Sequence, residues 1–319
     1  MQAAEDNDDE TFVYMGGDQH VPRHVRRAKI HVSVKIVPAR AFLNRKQLTY
    51  VEFHDGIEVI EQYSFFGCIN LRGLLQLLGV KIIKERAFSL CCSLTGVEFG
   101  GKLETIETSS FQRCSSLTKI RMPSVRTIGE MAFHICPQLS DVELGEGLRR
   151  LDSQAFEDCT NLKRINLPLR SITIGYCVFY GCPELAAVDL VMGIHNTVAS
   201  LHMESWRNEM MDEINRINQV LPTVFAWGKT TAIEQWMEST VHLFDHYKAE
   251  HHKILKEATT LLELALWKAN LGDNEGGRLE REGVRTTRGR RKRARKEICV
   301  TSGASIVIKN VLPFLLLLE

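Results

Sequence analysis

The 319-residue chain has almost no net charge: 40 Lys and Arg stand against 39 Asp and Glu, a formal +1 at pH 7. So small a balance sets up no global field to draw the molecule onto nucleic acid or a membrane. Long apolar runs are missing as well. The longest late one, Val311 to Leu318, contains Pro313 and falls far short of the roughly 20 residues a spanning helix needs. The start, Met1 to Glu10, is acidic and has no apolar core segment, so no signal peptide is expected. No Asn-x-Ser/Thr sequon occurs, which agrees with an intracellular protein. Signatures of catalysis are equally scarce. No Gly-x-Ser-x-Gly nucleophile elbow is found. His242 and His246 lie one helical turn apart and His251-His252 follow, but Leu243 stands where a zinc-protease helix needs Glu. Gly228-Lys229-Thr230 copies the end of a phosphate-binding loop, yet Thr223 replaces the required Gly and no buried strand precedes it. No two acids are singled out by spacing for acid–base work. The chain is therefore read as no enzyme, with no cofactor and no metal.

What the chain does have is one motif written seven times. Phe42, Phe65, Phe88, Phe111, Phe133, Phe156 and Phe179 follow at steps of 23, 23, 23, 22, 23 and 23 residues. Six residues after each comes a Leu: Leu48, Leu71, Leu94, Leu117, Leu139, Leu162 and Leu185. Five before it stand Val37, Ile60, Ile83, Ile106, Ile128, Leu151 and Ile174. Nine after it come Val51, Leu74, Val97, Ile120, Val142, Ile165 and Val188, and eleven after it Phe53, Gln76, Phe99, Met122, Leu144, Leu167 and Leu190. A period in the twenties centred on Leu-x-x-Val-x-Leu marks a leucine-rich solenoid. One repeat cannot bury its apolar face alone, whereas stacked copies share a continuous core. The alternating second half suits a short strand, and the following residues, often Gly, suit a turn. Ala-Phe-x-x-Cys is read as one helical or 3₁₀ turn. Gln76 breaks the apolar series, so either that repeat shifts onto Leu75 or Leu77, or Gln76 finds a hydrogen-bond partner. The one deleted residue, between Phe111 and Phe133, is placed in the turn.

The pattern Ile-x-x-x-Ala-Phe-x-x-Cys-x-x-Leu-x-x-Val-x-Leu resembles the BspA-like leucine-rich repeat family. The flanks, Phe12 to Gly17, Ser200 to Leu271 and Ser305 to Phe314, also resemble its intracellular diatom-type members with a C-terminal helical extension. The resemblance implies a protein-interaction module, offers no catalytic residue to carry over, and names no partner.

Six of the nine cysteines, Cys68, Cys91, Cys114, Cys136, Cys159 and Cys182, stand three residues after their Phe. Stacking turns them into a line, and tetrahedral zinc geometry fails. They are read as small buried hydrophobes in a reducing compartment. Arg45 takes the Cys position in the first repeat, as an exposed end repeat allows.

The expected fold is α/β of repeat type: a leucine-rich solenoid with a parallel sheet, followed by a C-terminal helical hairpin. Residues 1–10 are expected to be disordered, 11–36 to form an N-terminal cap, and 37–194 the solenoid. The hairpin takes 195–271, a linker with a basic run 272–297, and an apolar docking segment 298–319. One helix carries Met203, Trp206, Met210, Ile214, Ile217 and Leu221 and is closed by Pro222. The second, from about Thr231 to Leu271, carries Ile233, Trp236, Met237, Val241, Phe244, Tyr247, Ile254, Leu255, Ala258, Leu261, Leu262 and Ala265. Leu261 to Trp267 is apolar all round and must be covered. The hairpin either packs on the solenoid's end or offers a coiled-coil interface for self-association.

The outward strand residues should line a concave sheet: Tyr50, Glu52, Glu98, Lys119, Arg121, Asp141, Glu143, Arg164, Asn166 and Asp189. Lys119, Asp141 and Arg164 alternate in sign across strands, as do Glu98, Arg121 and Glu143. This is both a pattern for cross-strand ion pairs and a candidate surface for a protein partner. Eight basic residues fall within positions 285–296: Arg285, Arg288, Arg290, Arg291, Lys292, Arg293, Arg295 and Lys296. They read as a solvated tail, an import signal or a salt-sensitive polyanion contact. The expected function is a non-catalytic interaction scaffold. The alternative is a nuclear factor touching nucleic acid through 285–296.

Overall fold

The computed structural model describes residues 11–191 and 203–276, with side chains given as far as residue 266. The chain divides into two compact units, Met1–His252 and Lys253–Glu319. The first holds the solenoid, and every strand pair in it is parallel. One column of long strands is made of two sheets: a three-stranded one of β1 (Thr11–Tyr14), β2 (Arg27–Ile30) and β4 (Tyr50–Glu52), then a six-stranded one of β6 (Gly73–Leu77), β8 (Leu94–Phe99), β10 (Lys119–Met122), β12 (Asp141–Leu144), β14 (Arg164–Leu167) and β16 (Ala187–Leu190). A second column, which the sequence does not announce, is built from two-residue strands. These are β3 (Ile36–Val37), β5 (Val59–Ile60), β7 (Ile82–Ile83), β9 (Thr105–Ile106), β11 (Thr127–Ile128), β13 (Arg150–Leu151) and β15 (Thr173–Ile174). Each coil thus has a long strand, a turn, a short strand and a Phe-bearing bend.

Between the columns the seven Phe rings stack face to face. Successive centroids from Phe42 to Phe179 lie 4.8, 5.1, 5.2, 5.3, 5.2 and 6.1 Å apart, with planes within 12° of parallel. All seven are fully buried, each contributing on the order of 1.5–3 kcal/mol. The six repeat thiols are buried beside them, and each donates to the carbonyl of the Phe one coil earlier, at 3.1–3.3 Å. The thiol therefore does more than fill space: in most coils it gives a second donor to a buried carbonyl that already accepts a backbone N–H from its own coil.

The Phe-bearing bend is not the expected helical or 3₁₀ turn. Two residues per coil are left-handed, two before and two after the Phe: Tyr63 (φ 59°) and Gly67 (φ 70°), Arg86 (φ 52°) and Leu90 (φ 62°), Ser109 (φ 56°) and Arg113 (φ 59°). That conformation costs a non-glycine residue on the order of 1–3 kcal/mol. It also aims their N–H groups along the stack. Tyr63, Phe65 and Gly67 donate to Glu85, Ala87 and Ser89 of the next coil, and Arg86, Phe88 and Leu90 to Thr108, Ser110 and Gln112. A third ladder of hydrogen bonds offsets the strain.

The repeat at Gln76 does shift. A bulge follows Gly73 (φ 86°), a backbone state that favours glycine, and Leu75 and Leu77 pair with Val97 and Phe99 and enter the core. Leu74, expected inside, is 57% exposed instead. The deleted residue lies in the turn between β10 and β11, where four residues connect the strands instead of the five between β8 and β9, β12 and β13, and β14 and β15. At Gly145 a Cβ would sit 1.6 Å from the Pro123 carbonyl oxygen, so the stacked turn excludes any side chain there.

Both ends are closed. Ahead of the first coil Tyr14 continues the ring column, tilted against Phe42 at 5.1 Å. Arg45 is not a freely exposed substitute for Cys: it is half-buried and donates to the Val21 carbonyl at 2.6 Å and the Leu43 carbonyl at 2.8 Å. At the last coil two helices pack, α1 (Glu204–Val220) and α2 (Lys229–Gly276), joined through a 3₁₀ turn, Leu221–Thr223, that contains Pro222. The Trp206 ring stacks on Tyr247 at 5.1 Å and Trp236 Nε1 donates to the Glu213 carbonyl, so the pair runs antiparallel. Burial and the neighbouring Glu209 carboxylate, to which Tyr247 donates, push that phenol up to about 12. α2 begins two residues earlier than expected and continues through residues 272–276, which composition marks as linker. In the second unit, Leu261 is 67% and Leu264 54% exposed, so this apolar stretch is not covered by the described residues as expected.

Candidate functional site

The ten sheet-face residues are carried outward on β4, β8, β10, β12, β14 and β16 by strict alternation with the core positions. Tyr50 is 39% exposed and Arg27 lies over its ring at 4.7 Å. Glu52 pairs with Lys29 at 2.7 Å. Arg164 is the hub: it grips Asp141 with two nitrogens, at 3.2 and 3.4 Å, and reaches Glu143 and Asp189 at 3.9 Å each. Hydrogen bonding and attraction from Asp141 raise its guanidinium's pKa further. Arg121 pairs with Glu143 at 3.4 Å, and Asn166 accepts from the Leu144 N–H. The alternating signs are thus only partly used. Lys119 sits in register with Asp141, and Glu98 with Arg121, yet neither Lys119 nor Glu98 joins an ion pair among the described residues. The face carries a paired network that runs from Arg121 on β10 to Asp189 on β16, with two single charges beside it, Glu98 on β8 and Lys119 on β10.

Gly228-Lys229-Thr230 has a structural part to play. Lys229 is buried, its pKa lowered chiefly by desolvation, and its ammonium donates to the carbonyls of Pro183, at 2.9 Å, and Leu185. The Thr230 hydroxyl oxygen accepts the Phe179 N–H at 2.9 Å, and Asn218 Oδ1 accepts the Val188 N–H at 2.8 Å. In every earlier coil the Phe N–H donates to the coil that follows. The last coil has no successor, and these side chains supply the missing partners. His242 and His246 lie exposed on α2, and no three His, Cys, Asp or Glu side chains converge on a metal position among the described residues. The basic residues Arg285 to Lys296 lie outside the described residues.

One arrangement escapes sequence reasoning. On the bends of coils 1–3, Arg40, Tyr63 and Arg86 occupy the same repeat position, and stacking brings them together. The two guanidinium carbons lie 5.8 and 5.7 Å from the Tyr63 ring centre. Tyr63 and Phe66 rings meet at 5.6 Å. With Leu90, Gln112 and Arg113 they line an open cleft of about 270 Å³. The only advance signal is that Arg, Tyr and Arg recur two residues before Phe, which means nothing until the coils are stacked.

The described fold is a parallel solenoid of leucine-rich repeats with a helical C-terminal region. The sequence matches the family described as BspA type leucine-rich repeat region, in 6 copies, over residues 35–146 and 81–211. Among solved structures it is 32% identical to a leucine-rich repeat protein of T. pallidum, covering 50% of this chain and 77% of that one, with a TM-score of 0.47. It is 28% identical to a leucine-rich repeat protein of Eubacterium ventriosum (48% of this chain, 42% of that one, TM-score 0.44). A leucine-rich cell surface protein of Faecalibacterium prausnitzii is 23% identical (57% and 48%, TM-score 0.43). The chain therefore spans less than half the length of the latter two. No curated protein matches it. The family regions together take in more than half of the chain, and it belongs to the BspA-type leucine-rich repeat family.

Proposed function

We propose that the chain is a non-catalytic scaffold that binds a protein partner through the outer face of the long-stranded sheet, with Lys119, Arg121 and Glu98 at its centre. The observation that carries this reading is the unpaired charge of Lys119 and Glu98 beside a closed ion-pair network. A network whose charges are satisfied internally holds shape. Adjacent free charges of both signs are what a complementary partner can still use. Tyr50, Glu52, Asp141, Glu143, Arg164, Asn166 and Asp189 frame them. Leucine-rich repeat proteins generally act as interaction scaffolds, which supports the class though it names no partner.

The eight described cysteines are all free thiols, and this supports an intracellular setting. No described helix is long and apolar enough to cross a membrane. The exposed apolar positions of α2 beyond His252 support self-association as a further contact. The second reading, import to the nucleus or polyanion contact, rests on the sequence run Arg288, Arg290, Arg291, Lys292, Arg293, Arg295 and Lys296. Affinity capture from the native cell with wild type and a K119E/E98K variant tests the main reading. A reproducible partner should be recovered by wild type and lost by the variant at unchanged melting temperature. Equal recovery by both would remove the sheet face as the binding surface. Deletion of 285–296 should alter localisation or polyanion retention if the second reading holds.

A further inference from the structure

The bend face of coils 2–4 combines three things that the sheet face does not. It has aromatic surface in Tyr63 and Phe66, a half-buried apolar floor that adds Leu90, and guanidinium groups at its rim. The charges facing the cleft can be accounted for one by one. Arg86 donates to the Tyr63 hydroxyl at 2.7 Å and lies 3.6 Å from Glu85, while Tyr63 donates to Glu85 at 3.2 Å. Glu85 is thereby engaged. Lys84 pairs with Glu61, and the Glu107 carboxylate accepts the Glu85 N–H. Gln112 Nε2 donates to His134 Nδ1 at 3.1 Å. Arg113 is exposed and its side chain has no partner among the described residues, and the Arg40 guanidinium lies over the Tyr63 ring with no ion pair among the described residues. The balance at the cleft is positive. Two coils further on the same ridge turns acidic, where Glu157 and Asp158 flank His134 at 3.5 and 3.9 Å.

We propose that this cleft is a second recognition site, for an acidic peptide segment that sets a carboxylate on Arg113 and an apolar side chain on Phe66 and Leu90. Arg and Tyr are, with Trp, the residues enriched where binding energy concentrates. A guanidinium fork with both edges free matches a carboxylate in two parallel hydrogen bonds. Tyr63, clamped between Arg40 and Arg86, offers a rigid wall that loses little freedom on binding. The apolar floor favours a peptide over a bare anion, which has nothing to place there. Glu157 and Asp158 repel an acidic segment from the far end and so fix its position along the ridge.

The test is fluorescence anisotropy on the full chain. One labelled decapeptide alternates Glu or Asp with Phe or Leu, and its counterpart carries Gln and Asn instead. Tripolyphosphate serves as a separate ligand. The acidic peptide should bind, R113Q should weaken it by roughly ten-fold, R113K should fall between because charge remains and the fork is lost, and the amide peptide should not bind. K119E, on the sheet face, should leave this binding unchanged, so that either site can fail without the other. Arg113 is left-handed, and neither Gln nor Lys is glycine or β-branched, so the backbone cost should be similar in both substitutions. Equal binding by wild type and R113Q, equal binding of the amide peptide, or tighter binding of tripolyphosphate than of the peptide would each overturn the proposal.

Discussion

A buried thiol that hydrogen-bonds a carbonyl behaves differently from an exposed one, and this chain carries both kinds. Burial pushes Cys68 and Cys182 up to about 12, and raises Cys91, Cys114, Cys136 and Cys159 well above the ordinary range. The thiolate is the reactive form, and these six do not supply it. Native-state alkylation with iodoacetamide, read by peptide mass spectrometry, should therefore label the half-buried Cys92 and Cys177 and spare the six until denaturant is added. The same shift gives a pH dependence. The thiols hold their protons more tightly when folded than the value of about 8.5 they have in an unfolded chain. Their stabilisation is thus complete below about 8.5 and is lost as pH climbs towards 12. Urea midpoints measured from pH 7 to 10.5 should decline in the upper half of that range, and a flat profile would contradict the buried ladder. The Phe rings beside these thiols bury more apolar surface and stabilise the stack more. Phe111, stacked on both sides, should cost about 3–5 kcal/mol as Phe111→Ala, and clearly less as Phe111→Leu, in the same denaturation assay.

At the scale of the element, the hairpin acts on the solenoid through three side chains. Thr230→Val keeps the shape of the side chain and removes the acceptor for the Phe179 N–H. Leaving that buried donor unpaired should cost about 1–3 kcal/mol, whereas Thr230→Ser should be close to neutral. Equilibrium urea unfolding decides between them, and equal losses in both variants would mean that the hydroxyl is not the cap. This contact also marks where the sequence stops being legible. The coil period, the inward positions and the thiol line follow from spacing alone, because every coil repeats the same burial. The short strands do not: two residues give no alternation to read. Nor do the left-handed bends, since Arg86, Ser109 and Gln154 bear no mark of φ > 0 and are held there by bonds to the neighbouring coil. Gln76 foreshadows a shift onto Leu75 and Leu77, which by alternation turns Leu74 outward, but nothing in the spacing chooses this over a hydrogen-bonded Gln76. On the sheet face the alternation of sign is plain in the sequence. That Arg164 takes three acids while Lys119 takes none depends on rotamers and reach. The motif at Lys229 is visible for the wrong reason, because its resemblance to a nucleotide loop hides its use as a cap.

For the solenoid as a whole, the physical problem is its two open edges. A parallel stack of identical coils could continue into another molecule at either end. The chain blocks both with side-chain amides. At the first edge, Gln19 accepts the Met15 N–H at 2.6 Å and donates to the Val13 carbonyl at 3.4 Å, taking the place of a further strand beside β1. At the last, Asn218 takes the Val188 N–H, and Lys229 and Thr230 close the bend. A chain ended at residue 191 loses every one of the second group. It also uncovers Phe179 and the edge of β16, an apolar surface ready to receive β1 of another copy. That truncated chain should associate in a concentration-dependent way under light scattering, more so when Gln19→Ala opens the other edge as well. Gln19→Ala alone, with the hairpin in place, should stay far less associated, because a free first edge still lacks a free last edge to meet. If the truncated chain remained a stable monomer, the hairpin would not be what terminates the stack, and the four capping bonds would be incidental to it.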